Sequence, residues 1–269
     1  TNPSAGEHWE PAGAQIQISA SPSSGYYFVE WSGSGSGSYS GTSNPATITM
    51  NAPITETAEF AIPSITFEET GAPASPNGTV TVHFGGVYLI LQFSQLPKTI
   101  KIPAGTTVWF SYSSPVYTST PGVRYLWGST SDNFGVSLGQ SGSFTMPAMG
   151  NAYVEAFYGN AQGGGGIQYR LIMSVSPSSA GSTNPSVGAH WYNAGTGVTI
   201  SASANLGYEF VSWTGSGSGS YSGTSQIASI TMNNPINETA NFNVGITFAV
   251  SGMNYSATGT VLELTYGGS

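Results

Sequence analysis

The sequence predicts an all-β fold arranged as tandem β-sandwich units. Three observations predict it. Apolar residues recur with a period of two, as at Ile16, Ile18 and Ala20 and at Ile48 and Met50, the pattern of strands with one buried face. Short apolar runs alternate with Gly, Ser, Asn and Pro at intervals of roughly 8–12 residues, the rhythm of strands and tight turns. Finally, residues 1–60 align without a gap on residues 183–242, with two thirds of the positions identical.

Within the repeat the elements come in order. TNPS-x-G-x-HW opens both copies. An Ala-Gly turn (Ala12, Gly13; Ala194, Gly195) and an alternating strand (Ile16, Ile18, Ala20; Val198, Ile200, Ala202) follow. Next comes G-Y-x-F-V-x-W, Gly25 to Trp31 and Gly207 to Trp213. Alternation puts Tyr26 and Phe28 on one face and Val29 and Trp31 on the other. The string GSGSGSYSGT then starts at Gly33 and again at Gly215, before ITMN and P-I-x-E-T-A-x-F. Because identity extends well beyond the string, it belongs to a folded unit; a flexible linker would not keep ITM and ETA in register around it.

The middle of the chain is a more distant copy. Pro103, Ala104 and Gly105 precede TTVWFSYSS as Pro11, Ala12 and Gly13 precede AQIQISASPSS. Residues 124–128 (RYLWG) stand in the FVEWSG slot, and 142–158 echo the ITMN to ETA stretch. SITF (64–67), GTVTVHF (78–84) and VYLILQF (87–93) are expected as extra strands in front, and the first two recur in 245–269. The predicted units are 1–62, 63–168, 169–244 and an incomplete 245–269. The strand LIMSVS (171–176) that leads into the third unit has no counterpart ahead of Thr1, so the first unit is expected to lack its first strand. Repeats of this kind lean on neighbours to bury their faces.

Composition narrows the function classes. Charged residues make up 6% of 269, the net charge is −8, and the cations are Lys98, Lys101, Arg124 and Arg170. Nothing neutralises phosphates in bulk, which argues against nucleic acid. The chain has no cysteine, hence no disulfide or thiolate metal site. No apolar run approaches 18 residues, so no membrane span is predicted. Sparse carboxylates titrate little, which suits an acidic exterior.

The string G-Y-x-F-V-x-W-[ST]-G-S-G-S-G-S-Y-S-G-T followed by ITMN-x-P-I-x-E-T-A-x-F resembles Ig-like β-sandwich repeats of secreted archaeal surface proteins. It is more distantly similar to the divergent internalin-type repeats of bacterial surface proteins. The resemblance covers the two outer units. It implies tandem Ig-like β-sandwich domains, an extracellular cell-surface location and a structural role, as a filament subunit or an S-layer or stalk segment. The partners expected are copies of the chain itself, with cell-surface glycans or an S-layer as further candidates. The open sheet edge of the first unit and the strand sequence in 245–269 suggest head-to-tail assembly by strand donation.

Catalysis is not expected. With Asp132 the sole aspartate and three histidines (His8, His83, His190), a Ser-His-Asp arrangement has few candidates. The Gly/Ser string lacks G-x-S-x-G and has no phosphate-loop lysine. Glu56 and Glu238 recur in the two copies and are read as strand-edge hydrogen-bond acceptors. Calcium needs several converging carboxylates, so no metal or other cofactor is expected. Trp9, Trp109, Trp127 and Trp191 are candidates for stacking on sugars, or for packing at unit junctions, with Trp31 and Trp213 in the cores. An adhesin would display exposed aromatics on one face; an accessory region of a hydrolase would carry its catalytic domain elsewhere. Asn77, Asn237 and Asn254 head N-glycosylation sequons. Lys98 and Lys101 are the only lysines available to an isopeptide cross-link.

Overall fold

The computed structural model describes residues 1–72, 75–159 and 165–246; Asn254 and nearly all of 245–269 lie outside them. The first unit contains β1 (Gln15–Ile18), β2 (Tyr27–Ser34), β3 (Ala46–Thr49) and β4 (Thr55–Ala61). The middle unit contains β5 (Ser64–Thr70), β6 (Thr79–Phe84), β7 (Val87–Gln92), β8 (Lys98–Lys101), β9 (Thr107–Tyr112), β10 (Val116–Tyr117), β11 (Val123–Tyr125), β12 (Trp127–Asp132), β13 (Ser141–Thr145) and β14 (Ala152–Tyr158). The third contains β15 (Ile167–Ser176), β16 (Gly181–Asn184), β17 (Gly188–Asn193), β18 (Gly197–Ala204), β19 (Tyr208–Ser216), β20 (Ile227–Thr231) and β21 (Ile236–Val244). The only helical turn among the described residues is a 3-10 turn at Phe93–Gln95.

The third unit is a complete two-layer sandwich. One sheet runs β19-β21-β15-β17 and the other β16-β18-β20. Within the first, β15 and β21 are parallel, Leu171 opposite Ile236 and Met173 opposite Glu238. The middle unit repeats this plan: β12-β14-β5-β8 faces β13-β9-β6-β7, with β14 and β5 again parallel. Thus β5 answers to β15 and β6 to β16, and of the three leading strands β7 alone has no counterpart in the third unit; the β10–β11 hairpin is the middle unit's other addition. The expectation of three extra strands reduces to one, because the third unit carries both β15 and β16.

Each unit closes on its own core. Tyr112, Phe67, Ile65 and Met146 are buried in the middle unit; Leu171, Met173, Trp213, Ile200, Ile230 and Met232 are buried in the third. Strict alternation fails at one informative place. Phe28 and Trp31 are three residues apart and belong on opposite faces of a regular strand, yet their rings pack 5.9 Å apart. A register shift between Phe28 and Glu30 in the β2–β4 pairing accommodates Val29 and turns both rings inward. The third unit repeats the device between Phe210 and Ser212, with Phe210 and Trp213 5.9 Å apart.

The middle and third units share a sheet. The β10–β11 hairpin pairs through β11 with the first residues of β15, Val123 opposite Tyr169 and Tyr125 opposite Ile167. The Arg170 amide donates to the Gly122 carbonyl at 2.9 Å. The middle unit also guards one sheet edge. β8 pairs only with β5 and carries Lys98 and Lys101, both exposed, the charged dressing that discourages edge-to-edge pairing.

Candidate functional site

The site is the place in the first unit where the third unit holds β15. In the third unit Leu171 and Met173 are buried between the two sheets. Burying two such side chains stabilises a fold by about 1.5–3 kcal/mol each. Around them Met232, Ile236 and Ala240 are 0% exposed and Phe242 is 6% exposed.

Among the described residues of the first unit, no strand lies beside β4 except β2. The counterparts are correspondingly open: Met50, Ile54 and Ala58 are half-buried and Phe60 is 38% exposed. They line a cleft of about 420 Å³ with Ile16, Ile18, Trp31 and Ile48 forming the floor. This cleft has an apolar floor, a polar rim that includes Thr1, Ser4, His8, Glu10 and Glu56, and one unpaired backbone edge, and unlike β8 that edge carries no lysine. Its chemistry fits an extended segment that supplies backbone hydrogen bonds and alternate apolar side chains.

At one end of the groove sits Glu56, and in the third unit Glu238. Glu238 lies on β21, between β15 and β19, with its side chain inside the sandwich and 0% exposed. The expectation of a strand-edge acceptor is therefore corrected: the acceptor is real, but it is internal. The Gly/Ser string turns back so that the Tyr221 amide donates to Glu238 Oε1 at 2.7 Å, and the Tyr39 amide donates to Glu56 Oε1 at 2.8 Å. Glycine is required where the string crosses the carboxylate. A Cβ on Gly215 would meet Glu238 Oε1 at 2.8 Å, and one on Gly33 would meet both Glu56 oxygens at 2.8 Å. The second oxygen, Oε2, is buried without a hydrogen-bond partner in both copies. Burial raises the Glu238 pKa above the usual carboxylate range, partly offset by the Tyr221 amide.

The other candidates are scattered. Trp31 and Trp213 are core residues, 3% and 1% exposed. Trp127 is half-buried and donates from Nε1 to Thr130 Oγ1 at 3.0 Å. Trp109 lies on the outer face of the β6–β7–β9 sheet with its ring 5.5 Å from that of His83, which in turn lies 6.4 Å from Tyr88. Trp191 packs at the junction between the middle and third units, whereas Trp9 is 90% exposed. His8 and His190 each place Nε2 within hydrogen-bond distance of a backbone carbonyl, that of Ser4 at 2.7 Å and of Ser186 at 2.6 Å. Asn77 lies in an exposed turn, its Oδ1 accepting from the Tyr117 amide at 2.8 Å. Asn237 lies within β21, exposed, and donates to Ser216 Oγ at 3.3 Å. Among the described residues no three His, Asp or Glu side chains come together as metal ligands would, and no helix is long and apolar enough to cross a membrane.

A family model described as a divergent InlB B-repeat domain matches residues 3–64 and 172–245, together just over half of the chain. The second match opens one residue after Leu171 and so includes the second half of β15. The match is to a bacterial surface repeat, so the archaeal attribution expected from the sequence gains no support. No curated protein matches the chain.

Proposed function

The chain belongs to the divergent InlB B-repeat family, and from that premise, a cell-surface structural or adhesive module, we propose that it is a structural element of an extracellular fibre. Its units join head to tail by completing one another's sheets. The observation that supports this reading is the groove of the first unit, whose counterpart in the third unit is filled by Leu171 and Met173. The incoming strand runs parallel to β4, with apolar side chains opposite Ile54 and Glu56, as in the β15–β21 register. Such a contact is heterologous and does not close on itself, so it propagates.

A synthetic peptide with the sequence Ile167–Ser176 should bind the intact chain and slow backbone hydrogen exchange across β4. A peptide with aspartate at the positions of Leu171 and Met173 should do neither. If the unmodified peptide leaves exchange in β4 unchanged, strand completion is the wrong reading of the groove.

A stalk or S-layer segment within a longer covalent array is a second reading. It is favoured by the shared sheet between the middle and third units, which makes their joint continuous through β15. Both readings give the chain a load-bearing role at a cell surface.

A further inference from the structure

Next to its groove the first unit displays a second contact surface, and the third unit again shows what covers it. Trp191 lies on β17 opposite Arg170. Over its ring sits the Arg124 guanidinium, 4.2 Å from the centroid, within the range of a cation–π contact. The Tyr117 ring meets it at 5.8 Å and 65°. Both partners belong to the β10–β11 hairpin of the middle unit. Arg124 is held there by its Nε donating to Gln168 Oε1 at 2.9 Å.

Trp9 occupies the same slot in the first unit and is anchored by the same histidine–carbonyl contact, His8 to Ser4. Among the described residues no ring or guanidinium packs on it, and it is 90% exposed. The flanking chain differs as well. Gly188–Asn193 forms β17 because β15 pairs with it, whereas residues 6–11 form no strand. One substitution points to the charge of the partner. Glu7, exposed, replaces Ala189, two positions before the tryptophan and on the same face in the β17 arrangement. A guanidinium arriving over Trp9 would meet that carboxylate beside the ring. Glu10 replaces Tyr192, which faces the core, and lines the groove instead.

We propose that Trp9 is the anchor of a joint between units, and that its partner is a unit of the middle type placed directly ahead of the first unit. That partner brings a hairpin with an arginine and a tyrosine, and continues into the strand that fills the groove. The proposal rests on the strand-completion reading and adds a requirement to it: a bare strand does not complete the surface. One contact has no counterpart. Pro11 stands where Asn193 Oδ1 accepts from Gln168 Nε2 at 2.9 Å, so the new joint lacks that hydrogen bond.

The test compares the chain as it stands with an extended chain carrying a second copy of residues 63–182 in front of Thr1. Radical oxidation read by mass spectrometry reports each tryptophan separately, and hydrogen exchange reports β4. In the unextended chain Trp9 should be oxidised several-fold faster than Trp191. In the extended chain it should fall to the level of Trp191, and residues 6–11 should exchange slowly. Substituting Arg124→Ala and Tyr117→Ala in the added copy alone should restore Trp9 oxidation while β4 stays protected. If β4 becomes protected but Trp9 remains fast, the joint is refuted and strand completion stands. If neither changes, strand completion fails with it. If the Ile167–Ser176 peptide alone protects Trp9 as well as the added unit does, the partner is a bare strand and the hairpin requirement is wrong.

Discussion

Alanine at Gly219 is expected to cost the third unit about 3 kcal/mol, from a left-handed backbone penalty of about 1–2 kcal/mol and a steric term of similar size. Gly219 sits at φ +94°, and its added Cβ would overlap the Thr231 carbonyl oxygen. That carbonyl cannot move freely. It belongs to the end of β20, where the Thr231 amide donates to the Gly219 carbonyl at 3.2 Å and the Met232 amide donates to the Thr196 carbonyl at 2.9 Å. Ser218, immediately before it, is exposed, and Ser218→Ala should change stability by no more than about 0.5 kcal/mol. A linker would tolerate both substitutions equally. Because a chain of several units is not expected to unfold in one step, the readout is hydrogen exchange in β19 and β21. Equal protection in the two variants would remove the case that the Gly/Ser string is a built part of the sandwich.

That contrast shows what the sequence discloses and what it hides. The string could be recognised as folded because ITM and ETA keep register around it, a fact of spacing alone. The alternation around Ile16, Ile18, Ile48 and Met50 likewise marks the inner faces of β1 and β3, since burial on one side of a strand leaves a period of two. The Phe28–Trp31 pair could not be read this way. A bulge shifts the face by one residue, and its only trace is an odd spacing between two aromatics. The groove was half legible: comparing the two copies points to the side of β4 that β15 covers in the third unit, but the residues that line it come from four separated strands, from the segment before β1 and from the turn after β3. Trp9 and Trp191 look identical in sequence. Their difference depends on Arg124 and Tyr117, which lie more than 60 positions before Trp191 and reach it only through the fold. Glu238 misled for a related reason. A lone Glu in a strand reads as an edge residue, because nothing local says that a turn from 17 positions away will cover it.

Glu238 should make the third unit more stable in acid than near neutrality, and Glu238→Gln should abolish that dependence. The sign follows from the environment. Inside the sandwich the carboxylate is flanked by Met173 on β15 and Gly215 on β19 and accepts one hydrogen bond from the Tyr221 amide, and among the described residues no charged neighbour offsets its burial. Burial therefore favours the neutral acid, and the folded-state pKa lies above the unfolded one. The stabilising contribution is complete below the unfolded pKa and is lost as pH rises through the folded one. Glutamine keeps an oxygen for the Tyr221 amide and cannot ionise, so the stability of its third unit, read from hydrogen-exchange protection, should be nearly flat over the same range. A parent chain as stable at pH 7 as at pH 3, with the third unit followed by hydrogen exchange, would contradict the assignment.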